Sequence, residues 1–233
     1  LNRQGREDKH PARCARLAPT GRLYGIVGDE FCLAMDPLVI KAMQKWPDVP
    51  NVFGWLSLDR RGNWLIKGER IGNPALIDFI GRNYAADERG RWFFQNGPQR
   101  VFVTLAYTPF VIRTVGGATF HLETHTRVPL MHASGTWIDE NGALIVRWPG
   151  GVGAISDHDL GEVSQRFTDS RGSPLPEEAL ARALEPDSPG RRAGFWFDYG
   201  GERLPVGRIQ SGQVPQKFGF YPDPRPAPGE PEC

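Results

Sequence analysis

Lysine and cysteine are both scarce in this 233-residue chain. The three cysteines, Cys14, Cys32 and Cys233, lie toward the two ends with no CxxC spacing, which argues against a disulfide framework and against a cysteine-based zinc site. Lysine accounts for five of 28 basic residues and arginine for the other 23, the leaning of a GC-rich bacterial gene. A charge excess is missing as well: 28 basic residues face 27 acidic ones, and neutralising a phosphate backbone calls for more than a net +1. Nucleic acid is therefore not the expected partner. No run of 18 apolar residues exists to span a membrane, and the stretch 23–27 is too short for a signal-peptide core. The expected location is the cytoplasm, with no membrane partner.

What the chain does have is one turn signal used repeatedly. Asp-x-x-Gly occurs at Asp59/Gly62, Asp87/Gly90 and Asp139/Gly142, each time beside aromatic or aliphatic runs, the pattern of a hairpin with a Gly-assisted turn. Two helix starts are equally local. Asp36-Pro37 precedes Val39, Ala42, Met43 and Trp46, and Asn73-Pro74 precedes Leu76, Ile77, Ile80 and Tyr84; both combine a capping side chain, proline at the first helical position and one apolar face. Strands are expected at 110–115 and 119–128, meeting at Gly116-Gly117, and a hairpin is expected around Phe195-Trp196-Phe197 and residues 204–209. A short helix is expected at 176–185.

Aligning Asp59 with Asp139 gives a second match downstream: Val152-Gly153 follows the second turn as Ile71-Gly72 follows the first, and a helix is expected after each. The second helix opens at Ser156, with Asp159 in the capping-box position and Leu160, Val163 and Phe167 on one face. The third turn, at Asp87, has no such helix after it. The expected fold is α+β, with antiparallel sheets built from two related hairpin-plus-helix units. Residues 1–34 form a disordered or mis-assigned leader, 35–128 the first unit, 129–220 the second and 221–233 a loose Pro-rich tail. The turn preferences of Asp and Gly alone also generate such strings without any duplication.

The order Gly62-Asn63-Trp64, Gly68, Ile71, Leu76, Phe79, Asp87, Gly90, Phe94, Pro98, Val101, Val103 and Pro109-Phe110 resembles the bacterial domain-of-unknown-function family DUF1285, or a sister of it. The resemblance covers about residues 54–167. It implies a two-unit α+β fold of hairpin-and-helix motifs and a ligand-binding or signalling role, with no established activity. One departure is that Ala106-Tyr107-Thr108 stands where acidic residues are expected ahead of the Pro-Phe pair, so no carboxylate role carries over there.

Candidate chemistry concentrates in two places. On a continuous strand, His121, Glu123 and His125 share a face with Thr119 and Arg127, and imidazole with carboxylate is a common ligand set for a divalent metal. His121 and His125 are then about 13 Å apart, too far to share one ion, so a third ligand such as His132 or His158 is needed. The same alternation also describes the solvated face of an antiparallel sheet. The run Gly150-Gly151-Val152-Gly153-Ala154-Ile155-Ser156 partly mimics a GxGxxG phosphate loop, but Ser156 replaces the third glycine and the strand before it belongs to a hairpin. A milder reading gives free N–H groups at the Ser156 helix start to a carboxylate or phosphate; the plain one gives the glycines to turn geometry. No cofactor is expected. The resulting expectation is a non-catalytic small-molecule or protein-binding module, regulatory or signalling in role. Its groove lies between the units, lined by Arg113, His121, Glu123, His125, Gly151, Gly153 and Ser156. The alternative is a metal-dependent enzyme using the His121/Glu123/His125 strand.

Overall fold

The Asp-x-x-Gly turns share one construction, and the computed structural model adds a fourth, Asp169/Gly172. In each, one carboxylate oxygen accepts the N–H groups two and four residues on: Arg61 and Asn63 for Asp59, Arg89 and Arg91 for Asp87, Asn141 and Ala143 for Asp139, Arg171 and Ser173 for Asp169. The glycine N–H closes onto the aspartate carbonyl at 3.0–3.2 Å, with the glycine at a positive φ of 78–87°. An Asx-type bond of this kind supplies locally what a β-ladder otherwise supplies at long range, which is why the turn is legible in the sequence.

The structure describes residues 24–27, 30–33, 35–45, 49–116, 120–176, 178–180 and 192–230. Strands β1 (Tyr24–Val27) and β2 (Glu30–Leu33) pair as a hairpin inside the segment expected to be a leader; residues 1–23 lie outside the described residues. Helix α1 (Pro37–Lys45) follows, with Asp36 capping the Leu38 N–H; Trp46, expected on its face, lies outside the described residues.

Six strands form the first sheet: β3 (Val52–Leu58), β4 (Trp64–Ile66), β5 (Glu69–Arg70), β6 (Tyr84–Ala86), β7 (Trp92–Asn96) and β8 (Gln99–Leu105), in the order β5-β4-β3-β8-β7-β6. Between β5 and β6 runs α2 (Pro74–Arg82), capped by the Asn73 side chain, which accepts from Ala75 and Leu76 N–H. Tyr84, expected on the helix face, instead opens β6. Its ring is almost fully buried and its hydroxyl donates to the Pro109 carbonyl at 3.0 Å.

The second sheet contains β9 (Phe110–Val115), β10 (His121–Thr124), β11 (Gly135–Ile138), β12 (Leu144–Trp148), β13 (Gly151–Ile155), β14 (Phe167–Thr168), β15 (Arg192–Tyr199) and β16 (Glu202–Arg208). Their order is β10-β9-β13-β12-β11-β16-β15-β14. Helix α3 (Leu160–Ser164) lies between β13 and β14, and α4 (Val214–Phe218) follows β16. Set aside β9 and β10, and the second order, β13-β12-β11-β16-β15-β14, repeats the first strand for strand. In both sheets a helix separates the third strand from the fourth, and the sixth strand returns parallel to the first.

Three expectations need correction. The sheets are mixed, not antiparallel throughout: β3 runs parallel to β8, β11 to β16 and β13 to β9. The change of sheet falls between Leu105 and Phe110, so the strands at 110–124 complete the second sheet, not the first. The tail, expected to be loose, is fastened: Tyr221 N–H donates to the Gly90 carbonyl, Leu105 N–H to the Pro222 carbonyl, and Glu230 takes two bonds from the Arg91 guanidinium at 2.7 and 3.0 Å. Of the helix expected at 176–185, residues 178–180 are helical and Pro176 precedes the helix; residues 177 and 181–185 lie outside the described residues.

One continuous core joins the sheets. Phe110, at the start of β9, packs edge-on against Tyr84 and Trp92 of the first sheet and Trp148 of the second, with centroids 4.9–5.8 Å apart. Such edge-to-face contacts add to the gain from burying large apolar area.

Candidate functional site

Where the Asp59 and Asp139 turns approach one another they leave a cavity of about 390 Å³. Arg60, Arg61, Tyr107, Asn141 and Asp157 supply its polar wall, and Val111, Ala143, Ala154, Ile155 and Leu160 its apolar one. The first turn is braced against the second sheet from two sides. Arg113 on β9 donates to the Arg61 carbonyl, and the Arg61 guanidinium pairs with Asp157 at 3.0 Å.

At the second turn Asp139 is 5% exposed. One of its oxygens serves the turn; the other accepts the Tyr107 hydroxyl at 2.6 Å. Burial, reinforced by that bond to Asp139, pushes the Tyr107 phenol far above its ordinary range. The ring, pinned in this way, is a flat platform on which the exposed Arg60 guanidinium rests 4.4 Å from the centroid. Arg60 has no carboxylate partner among the described residues. Asp157 is held below the usual aspartate range, chiefly by its hydrogen bond from Arg61.

The residues expected to line a groove are dispersed by the fold. Arg113 sits behind the cavity as the brace just described. Glu123 lies opposite Arg113, and His121 opposite Val115, on the β9/β10 ladder, and neither lines the cavity. His125 does not share their face. The strand stops at Thr124, whose N–H and carbonyl bond to Val128 and Arg127 across a turn in which Arg127 takes φ 61°. That turn sends the His125 imidazole inward among Trp64, Tyr84 and Phe110, with ring centroids 5.1–5.9 Å away. Its Nδ1 accepts the Val111 N–H at 3.2 Å, and its Nε2 is buried without a partner. Burial first, and the positive charge of Arg113 second, lower its pKa to about 3. The His125 imidazole, enclosed by aromatic rings, therefore stands apart from the face that carries His121 and Glu123. Among the described residues no group of three or more His, Cys, Asp or Glu is placed to hold an ion.

Gly151 and Gly153 correct a second expectation, since the glycine run is strand β13 and not a phosphate loop. A Cβ on Gly153 would stand 2.8 Å from the Phe110 carbonyl oxygen and 2.9 Å from Ile112 Cγ1, so the glycine is there to let β13 approach β9. Ser156 is 1% exposed; its N–H donates to the Ile112 carbonyl, and its hydroxyl makes no capping bond. The helix expected from Ser156 to Phe167 is a 3-10 turn at Asp157–Asp159 and the five-residue α3, and Phe167 belongs to β14.

Sequence reasoning missed Arg60, Tyr107 and Asn141. Arg60 and Asn141 occupy the middle of Asp-x-x-Gly strings and read as turn residues, and Tyr107 stands where the family resemblance departs, so no role carries over to it.

The family model DUF2944, described as "Protein of unknown function (DUF2946)", matches residues 35–225, and the chain belongs to that family. Among curated proteins nothing matches it. A solved structure of a DUF1285 family protein from Silicibacter pomeroyi DSS-3 is similar at 15% identity and a TM-score of 0.45, covering 76% of this chain and 97% of that one. A DUF1285 family protein from Shewanella baltica OS155 is similar at 10% identity and a TM-score of 0.32, covering 45% and 85%. Among the described residues no helix is long and apolar enough to cross a membrane.

Proposed function

We propose that the chain is a non-catalytic module that binds a small molecule in the cleft between the Asp59 and Asp139 turns. The observation that carries this reading is the cleft itself. Its volume of about 390 Å³ falls at the lower end of the roughly 300–1,000 Å³ usual for ligand pockets. It combines an apolar wall with a few convergent polar groups. The state of those groups favours binding over catalysis. The Tyr107 phenol is committed to Asp139 and raised well above its ordinary range, and Asp157 is held low by Arg61, so neither group exchanges protons near neutrality.

A thermal-shift screen of a metabolite panel tests it. A true cleft ligand at ten times its Kd raises the midpoint by about 3 °C or more, from the linkage relation and the usual melting entropy of a chain this size. The shift disappears in Ala143→Phe, which fills the apolar wall, and in Arg60→Glu, which changes only an exposed side chain. Hits that survive in both variants bind elsewhere and sink the reading.

A further inference from the structure

We propose that the occupant of this cleft is a small zwitterion with an uncharged side chain, an α-amino acid or a close relative, and not a simple anion or cation. The inference rests on the cleft being the binding site and assigns its ligand class from the charges around it. Four charged residues line the cleft, two of each sign: Arg60 and Arg61 against Asp59 and Asp157. Of these, Asp59 is largely used up, since its carboxylate accepts from Arg61 N–H, Asn63 N–H and the Asn63 amide at 2.7–2.8 Å. Arg60 is the opposite case. Its guanidinium is oriented by the Tyr107 ring and keeps its forked donors free for a carboxylate.

Asp157 is the matching acceptor. It is 55% exposed and its one ion pair, to an Arg61 that is 54% exposed, is of the solvent-facing kind that contributes little and exchanges readily. An incoming ammonium group can share its carboxylate without stranding Arg61, whose carbonyl remains tied by Arg113. A lone anion gains Arg60 but faces Asp59 and Asp157, and a lone cation gains Asp157 but faces both arginines; juxtaposed like charges discriminate against each. A molecule carrying both charges on one carbon satisfies both. Its side chain then falls on the apolar wall of Val111, Ala143, Ala154, Ile155 and Leu160, none of which offers a partner to a third charge.

The test is titration of the full chain by heteronuclear NMR or calorimetry with three matched probes: L-leucine, N-acetyl-L-leucine, which keeps only the negative charge, and L-leucinamide, which keeps only the positive one. L-Glutamine is added as a second zwitterion with a neutral polar side chain. At least one zwitterion is expected to bind about tenfold or more tightly than either singly charged analogue, the equivalent of one well-placed charged contact. Arg60→Ala is expected to lower zwitterion affinity by about tenfold or more, and Asp157→Asn to lower it while raising that of N-acetyl-L-leucine, because it removes the repulsion together with the attraction. Both side chains are exposed and neither change threatens the fold. Binding of N-acetyl-L-leucine or L-leucinamide equal to or better than that of the tighter-binding amino acid overturns the assignment, as does unaltered zwitterion affinity in Asp157→Asn. Silence with both amino acids also overturns it, whereas the binding-site reading fails if the wider metabolite panel is silent too or its hits survive in both cleft variants.

Discussion

Laid strand against strand, the two sheets follow one order and differ in what is built over their turns. The equivalences pair Asp59 with Asp139, between the first and second strands of each unit, and Asp87 with Asp169, between the fourth and fifth. All four turns close with the same backbone bonds, yet the first pair lines one shared cleft, while the Asp87 turn meets a later segment of the chain and the Asp169 turn stands at the surface. Over the Asp87 turn lies the segment 219–230, with Gly219 and Phe220 against Gly90; the exposed Asp169 turn is met by the Arg203 guanidinium, which donates to the Ser170 carbonyl. The turn is a construction unit, and whether it becomes part of a site is decided by residues far away in sequence.

The largest effect expected from breaking this contrast lies at the cover of the Asp87 turn. Arg91 is 8% exposed and bonds to Asp87 and Glu230. Truncating it leaves two nearly buried carboxylates facing each other, and Arg91→Ala is expected to cost about 3–5 kcal/mol in denaturant unfolding. Its partner gives a pH signature. Glu230 is held at about 2, chiefly by the hydrogen bond from Arg91, so the stability it contributes is complete above the ordinary value of 4.5 and is lost as pH falls toward 2. Glu230→Gln removes that part of the acid slope; an unchanged slope contradicts the pairing.

Next come two glycines that differ only in surroundings. Gly90 and Gly142 have φ of 78° and 81°, but a Cβ on Gly90 meets the Gly219 carbonyl oxygen at 2.1 Å while one on Gly142 meets nothing within 4 Å. Gly142→Ala then carries backbone strain alone, about 1 kcal/mol, and Gly90→Ala carries displacement of the tail as well, about 3 kcal/mol in total. Equal losses in thermal or chemical denaturation show that the tail does not press on the turn.

The smallest effect sits beneath the open turn. His125 packs against Gly62 and stays neutral down to about 3 in the fold, whereas its ordinary value is 6.5. Its contribution is therefore complete above pH 6.5 and falls as pH drops toward 3, because the unfolded chain takes up the proton first. His125→Phe is expected to cost about 1 kcal/mol at neutral pH through the lost bond from Val111 and to flatten the stability profile between pH 6.5 and 3. A variant with the wild-type slope shows that the imidazole is not shielded.

Features that depend on nearby residues were legible, and features that depend on distant ones were not. The Asp59, Asp87 and Asp139 turns and the Asn73-Pro74 helix start each close within about four residues, so a short string carries their whole physics. The fourth turn is equally readable in Asp169-Ser170-Arg171-Gly172, by the same local rule. The parallel pairings of β3 with β8 and β11 with β16 left no local mark. Burial on both sides of β13 erased the alternation that marks a half-exposed strand, so a glycine-rich strand looked like a loop. His125 was misplaced because the turn after Thr124 relies on Arg127 at a positive φ, a conformation that its residue type does not announce. Of the site, Arg113 was identified, as a lining residue where the fold uses it as a brace; Arg60 and Tyr107 come together through the parallel pairing of β3 with β8, which sets Leu58 beside Leu105.

The fastening of the tail also orders events during synthesis. Leu105 closes its N–H on Pro222, and Arg91 reaches forward to Glu230, 139 residues later, so the first sheet is sealed only after that much more of the chain has been made. Contacts that span so much chain form slowly, and until they form, the Phe53, Phe93 and Phe102 region beside Arg91 is an unfinished surface. The nascent protein therefore carries an aggregation hazard in its first sheet until residues 222–230 arrive to cover it.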